Sequence, residues 1–293
     1  MTIFKYRLRS SAARAQRGFT LVEAVMVMVI TGILAAMVAV FITSPVKGYM
    51  DTARRAEITD AADASLRRLA REVRLALPNS LRVDTTSNAT YNYIEFIHTN
   101  AGGRYRDASD GSTSGNVLDF TDNTKLSFDV LGPMPSNPAL VNGDLIVVFN
   151  LGPGYAPADA YLAGNRAQVN SVAGNTITLA SNPFAAASPP LPSPNRRFHV
   201  VPSTVEAVTY ECPKLVPGNM TRYWNYGFNA SAPTAAPGGN SAIAMSNVTC
   251  EVGYSQNVSF RNALLYIKLA VTDGTSGGEK IEVFQQIHVD NSP

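Results

Sequence analysis

One carboxylate stands where a carboxylate is costly. Glu23 lies inside the apolar run 19–43. On insertion scales a charged carboxyl near the centre of a membrane helix costs roughly 2.5–3.5 kcal/mol, and less near the interface. The other reactive side chains do not assemble into a catalytic set. His98, His199 and His288 are far apart, and none has a Cys, Asp or His at metal-ligand spacing. Each sits in or beside an apolar run, as a hydrogen-bonded strand histidine does. There is no Gly-x-Ser-x-Gly, no Gly-rich phosphate loop and no His-Glu-x-x-His. Asp107-Ala-Ser-Asp110-Gly111 approaches a calcium loop, but its Gly comes one position early and no Glu stands at the twelfth place. It reads as a polar surface loop. Trp224, with Tyr223, Tyr226 and Phe228, reads as core, with a sugar-binding patch as the alternative. The expectation is a protein that is not an enzyme, with no catalytic residue, no metal and no cofactor.

Around Glu23 the sequence changes character abruptly. Lys5, Arg7, Arg9, Arg14 and Arg17 precede it with no acid among the first eighteen residues, and the apolar run follows at once. As a helix the run would be ~37 Å long, enough for the ~30 Å of hydrocarbon in a bilayer. Positive charge ahead of it keeps the N-terminus cytoplasmic and sends the remainder outward. A secretory signal has a shorter apolar core followed by a small-residue cleavage site. Here the core is longer, and the one Ala-x-Ala triplet, Ala13-Arg14-Ala15, comes before it. A plain anchor would account for length and charge, but for neither Glu23 nor the Gly-Phe step at the boundary. The net charge of +2 conceals an acidic remainder, 19 Lys and Arg against 22 Asp and Glu beyond the first eighteen residues. That balance argues against a nucleic-acid-binding body.

Gly18-Phe19-Thr20-Leu21-Val22-Glu23 resembles the GFTLxE motif of type IV pilins and type II secretion pseudopilins. The resemblance implies cleavage by a prepilin peptidase after Gly18, methylation of the new N-terminal Phe19, and a role for Glu23 as the assembly carboxylate. It further implies a single-pass protein of the inner membrane with its head in the periplasm, later incorporated into a pilus or pseudopilus. The implied partners are the peptidase/methylase and, through the N-terminal helix, other minor pilins and the major pilin.

Beyond Pro45, expected to kink or open the helix, residues 46–77 read as amphipathic. Ile58, Ala62, Leu66, Leu69, Val73 and Leu77 recur at spacings of three and four. Asp63/Arg67 and Arg68/Glu72 are i,i+4 pairs of modest worth, and Pro78-Asn79 stops the pattern. Short β-type runs follow at 92–98, 125–131, 144–150, 175–180, 197–201, 205–211, 221–228, 248–254, 263–272 and 280–289, the last two as a hairpin. Loops are expected at 101–116, 132–138, 181–195 and 229–241. The Pro-rich run 183–194 is the best candidate for an internal boundary, without being strong enough to divide the domain. The expected class is α+β, a helical spine with a β-rich head. Its divisions are a leader 1–18, a transmembrane and assembly helix 19–44, an amphipathic helix 45–78 and a head 79–293. Cys212 and Cys250 are either two separate thiols or a disulfide. The outward topology favours the bond, which could contribute up to ~4 kcal/mol by the chain-entropy argument.

The arginine-rich helix ending in Arg74-Leu-Ala-Leu-Pro-Asn-Ser-Leu-Arg82, with the C-terminal hairpin ending Gln286-Ile-His-Val-Asp-Asn-Ser-Pro293, resembles the MshO type of minor pilin of the mannose-sensitive haemagglutinin pilus, and the layout is similar to the J-type minor pseudopilin. The function this implies is a minor subunit in pilus assembly. The alternatives are a tip adhesin for a surface or glycan, or a secretion pseudopilin.

Overall fold

The computed structural model describes residues 18–107, 114–259, 262–272 and 280–293. The leader up to Arg17, residues 108–111 of the polar loop and the hairpin connection 273–278 lie outside the described residues. The class is α+β: one long helix, α1 (Leu21–Arg74), and a strand-rich remainder. The chain divides into two compact units, Met1–Ala56 and Glu57–Pro293.

From Leu21 to Thr43 the helix is apolar on every side apart from Glu23 and its threonines, and no face of it is buried; Lys47, Asp51, Arg54 and Arg55 follow before the unit ends. Leu34 is 54% exposed and Phe41 84%. Its hydroxyls are bonded internally: Thr31 Oγ1 donates to Val27 O at 2.6 Å and Thr43 Oγ1 to Val40 O at 3.2 Å. This removes the polar cost of placing them in hydrocarbon. The helix is not interrupted at Pro45. Lacking an N–H, that residue gives up one backbone bond within a run that continues on both sides.

In the second unit the helix becomes one-sided. Ala62, Leu66, Leu69 and Val73 are 0% exposed, with Ile58 packed beside them. They lie against a seven-stranded antiparallel sheet. Its strands are β1 (Arg82–Asp84), β2 (Tyr91–Ile97), β9 (Ala207–Pro213), β10 (Gly218–Trp224), β11 (Asn240–Ser259), β12 (Asn262–Thr272) and β13 (Lys280–Asp290), in that order across the sheet. Ile94, Phe96, Val208, Tyr210, Leu265, Ile267, Leu269 and Ile287 form the sheet's side of this core. The hairpin registers Thr272 opposite Lys280 and Asn262 opposite Asp290.

Between β2 and β9 the chain leaves the sheet and builds a closed barrel. Its strands are β3 (Ala101–Tyr105), β4 (Ser127–Leu131), β5 (Leu145–Val147), β6 (Arg166–Ala173), β7 (Thr176–Leu179) and β8 (Arg197–Val201), closing in the order β3-β4-β7-β6-β5-β8. Its interior holds Tyr105, Phe128, Val130, Ile146, Val169, Ile177, Leu179, Phe198 and Val200. Because β2 and β9 pair directly, Ile97 opposite Ala207 and Tyr91 opposite Pro213, the barrel is an insertion whose ends meet. Such closely spaced ends let a whole subdomain be inserted without disturbing its host.

Sheet and barrel share a third cluster, Leu77, Ile97, Val147, Ala160, Tyr161, Val201 and Ala207. Asn79, in the left-handed region at φ 60°, donates to Asn150 O at 2.9 Å and Asn291 O at 3.1 Å. Asn150 returns a bond to Pro78 O at 2.7 Å. Gly152 permits this approach: at φ +93° it would bring a Cβ within 2.5 Å of Asn79 O. Beside it Arg82 makes a buried ion pair with Glu95. The same guanidinium lies 3.6 Å over the Tyr161 ring and donates to Asn229 O and Ala230 O. With its donors taken up this way, the buried charge is compensated.

Sequence expectations change at four strands. β3 lies inside the predicted loop 101–116; β1 and β6 fall where no strand is expected; and β11 starts at Asn240 rather than near 248. β3 reads Ala-Gly-Gly-Arg-Tyr, poor in strand formers, because it presses on β8. A Cβ on Gly103 would come within 2.7 Å of the Phe198 ring. The Pro-rich run 183–194 lies within the barrel, between β7 and β8, and marks no boundary.

Candidate functional site

The residues singled out from the sequence sit at the first turn of α1. Gly18, Phe19 and Thr20 precede the helix, which starts at Leu21. Phe19 is 77% exposed, and Glu23 is exposed as well. The Glu23 N–H donates to Thr20 Oγ1 at 3.3 Å, and the Ala24 N–H to Thr20 O at 3.1 Å. Thr20 therefore caps the helix, with Glu23 as its third residue. Thr-x-x-Glu is the sequence form of a capping box, a signal that sequence reading passed over. The chemical consequence is twofold. The cap satisfies an amide that would otherwise be orphaned. It also fixes where the helix begins, and so places the Glu23 carboxylate one turn from Phe19.

The cysteines are joined as a disulfide, Cys212 on β9 to Cys250 on β11, with Cα atoms 5.8 Å apart. These strands flank β10 and do not pair with each other, so the bond ties across a strand. Both residues lie in the core beneath the helix.

A second set of polar contacts docks the helix. Glu72 Oε2 accepts from Tyr210 Oη at 3.1 Å and from Arg222 Nε at 2.8 Å, while Arg68 approaches its other oxygen at 3.3 Å. Burial first, then the Glu72 charge, pushes the Tyr210 hydroxyl's pKa up, so it remains a donor. Sequence spacing gave only the Arg68–Glu72 pair; Tyr210 and Arg222 lie 138 and 150 positions away.

The aromatic group proves to be packed. Trp224 lies against the helix–sheet core with Arg222 stacked over it at 4.7 Å. Tyr226 and Phe228 lie against the sheet–barrel cluster, and Tyr223 donates to Glu211. His98, His199 and His288 are not brought together, and no group able to hold a metal ion occurs among the described residues. Asp107, from the polar loop, pairs with Arg196 at 2.8 Å.

Among the described residues α1 is the one helix long and apolar enough to cross a membrane. The family model for the prokaryotic N-terminal methylation motif matches residues 13–39. No curated protein and no solved structure matches the chain. The matched segment spans the cap, Glu23 and the first half of the exposed apolar helix. Motif and helix together point to membrane anchoring, to prepilin peptidase processing and to pilin partners in general, and they support a type IV pilin-like, structural subunit.

Proposed function

We propose that the chain is a minor pilin-like subunit of the MshO type, cut between Gly18 and Phe19, methylated on Phe19, and taking part in pilus assembly from the inner membrane. One observation carries the reading. The matched segment 13–39 sets the Gly-Phe step just before a capped apolar helix whose carboxylate lies in its first turn. After cleavage Phe19 bears a free ammonium. In a bundle of such helices with little water, an ammonium and a carboxylate each need a partner, and an unpaired one is strongly unfavourable. A subunit whose Glu23 meets the N-terminus of its neighbour is held in axial register by that penalty.

Mass spectrometry of membrane-extracted protein tests the processing. The expected mature chain begins at methylated Phe19; an intact leader, or a start after residue 40, would sink the reading. Glu23→Ala tests the assembly role. It should insert and be cut normally yet co-purify poorly with other pilins, since breaking a buried pair costs about 3–5 kcal/mol. Unchanged co-purification and pilus number would reject Glu23 as an assembly residue. Deleting the protein separates the alternatives. Loss of pili supports assembly, adhesion-defective normal pili support a tip adhesin, and a secretion defect supports a J-type pseudopilin. The packed positions of Trp224, Tyr226 and Phe228 favour the first.

A further inference from the structure

A recess of about 420 Å³ opens on the barrel wall, lined in part by Gly102, Gly103, Arg104, Leu131, Arg197 and His199. Strand periodicity decides which side chains face it. Tyr105 of β3 and Phe198 of β8 fill the barrel interior. Their neighbours Arg104 and Arg197 therefore face outward, and both are exposed. The register sets Arg104 directly opposite Arg197, and Gly102 directly opposite His199. Like charges directly opposite one another in an antiparallel pair repel and destabilise it.

The surrounding charges make this pair unusual. Four arginines, at 104, 106, 196 and 197, gather at this corner of the barrel. Arg196 pairs with Asp107 at 2.8 Å, and Arg106 lies 3.9 Å from Asp129. Among the described residues neither Arg104 nor Arg197 has a carboxylate at ion-pair distance. The corner thus supplies carboxylates to two arginines and none to the two that face each other. The glycines leave the floor of the recess bare, since even a methyl on Gly102 would come within 2.9 Å of Phe198 O. His199 also lines the recess, its Nε2 enclosed in protein without a hydrogen-bond partner. Burial first, then the charge of Arg197, depresses its pKa to about 4. At neutral pH the ring is therefore uncharged and adds no positive charge to the recess.

We propose that this recess binds a tetrahedral oxyanion, a phosphate or sulfate group, clamped between the Arg104 and Arg197 guanidiniums. Each guanidinium offers a planar fork suited to two oxygens, and the anion converts a repulsive cross-strand pair into a bridged one. The recess exceeds the volume of a bare oxyanion and falls in the range of small-molecule sites, about 300–1,000 Å³. The volume leaves room for a larger molecule to carry the anion, or for the free ion with water. The site stands apart from the processing of the N-terminus and does not depend on it.

The test is isothermal calorimetry on the full chain in a neutral detergent at fixed ionic strength. The probes are inorganic sulfate, inorganic phosphate and a sulfated disaccharide. Saturable binding is expected, weakened about tenfold or more by Arg104→Gln and by Arg197→Gln, and unaffected by Arg67→Gln on the helix. Tighter binding of the disaccharide than of sulfate identifies a saccharide-borne anion; equal binding identifies the free ion. Absence of saturable binding, or equal binding by wild type and both variants, overturns the proposal. Thermal melting without anion guards against misfolding. Each variant removes the like-charge pair, so its midpoint should equal or exceed that of the wild type; a lower midpoint would overturn the premise of repulsion.

Discussion

Residues 21–43 and 57–74 belong to one helix in secondary structure and are two different objects in physical terms. The first stretch carries Val25, Met28, Leu34 and Phe41 in the open, each more than half exposed. The second buries Ala62, Leu66, Leu69 and Val73 completely and keeps Asp60, Arg67, Arg71 and Arg74 outside. A stripe of apolar residues finds its partner within the chain, here the sheet. A helix that is apolar all round has no polar side to leave in water, and needs lipid or other helices to surround it. The difference teaches where the molecule is self-sufficient. Its head is complete from Glu57 onward, whereas the segment bearing the methylation motif has its energetics set by what lies outside the chain.

The sharpest way to break this comparison is to truncate one leucine in each stretch. Leu69→Ala should destabilise the head by about 2–5 kcal/mol, through lost burial and the cavity it leaves. Leu34→Ala should leave head stability within about 0.5 kcal/mol. Denaturant unfolding of the full chain in detergent, followed by near-ultraviolet circular dichroism, reads both. Equal losses would mean that the two stretches are energetically one.

A smaller effect belongs to Glu72, which fastens the second stretch by polar contacts. Glu72→Gln should cost about 1–3 kcal/mol by weakening bonds from Tyr210 and Arg222. A double-mutant cycle with Arg222→Ala should return a coupling above the ~0–1 kcal/mol of exposed pairs such as Asp63–Arg67. Coupling near zero would leave docking to the apolar stripe alone.

The smallest effect is local to the first stretch. Thr20→Ala removes the cap and should cost about 1 kcal/mol at the helix start. Hydrogen exchange at the Glu23 amide should speed several-fold while head amides keep their rates. Unchanged exchange would show that the 3.3 Å bond contributes nothing to the start of the helix.

The sequence was most readable where structure is local. The apolar run, the stripe from Ile58 to Val73 and the hairpin 263–272/280–289 are periodic patterns, and periodicity follows from backbone geometry alone. Gly18, Phe19 and Glu23 could be picked out because charge, turn residue and apolar run occur in order within a few positions. Thr20 was equally local and was overlooked. The reading failed where tertiary contact decides. β3 is a strand because β8 lies beside it, and its glycines, which argue for a loop in isolation, are what the Phe198 ring requires.

What the sequence alone determined is therefore the helix, its change from all-round apolar to one-sided, the strand-rich head and the motif at its start. Only the tertiary structure decided that residues between Ile97 and Ala207 leave the sheet to close a barrel. It set the expected Cys212–Cys250 bond across β10, and it alone gave Glu72 to Tyr210 and Arg222 and set Arg104 against Arg197. The physical reason is separation along the chain. A helix face or an i,i+4 pair is fixed by 1.5 Å of rise per residue, whereas partners such as Glu72 and Arg222, 150 positions apart, meet only when the register of many strands has been settled together.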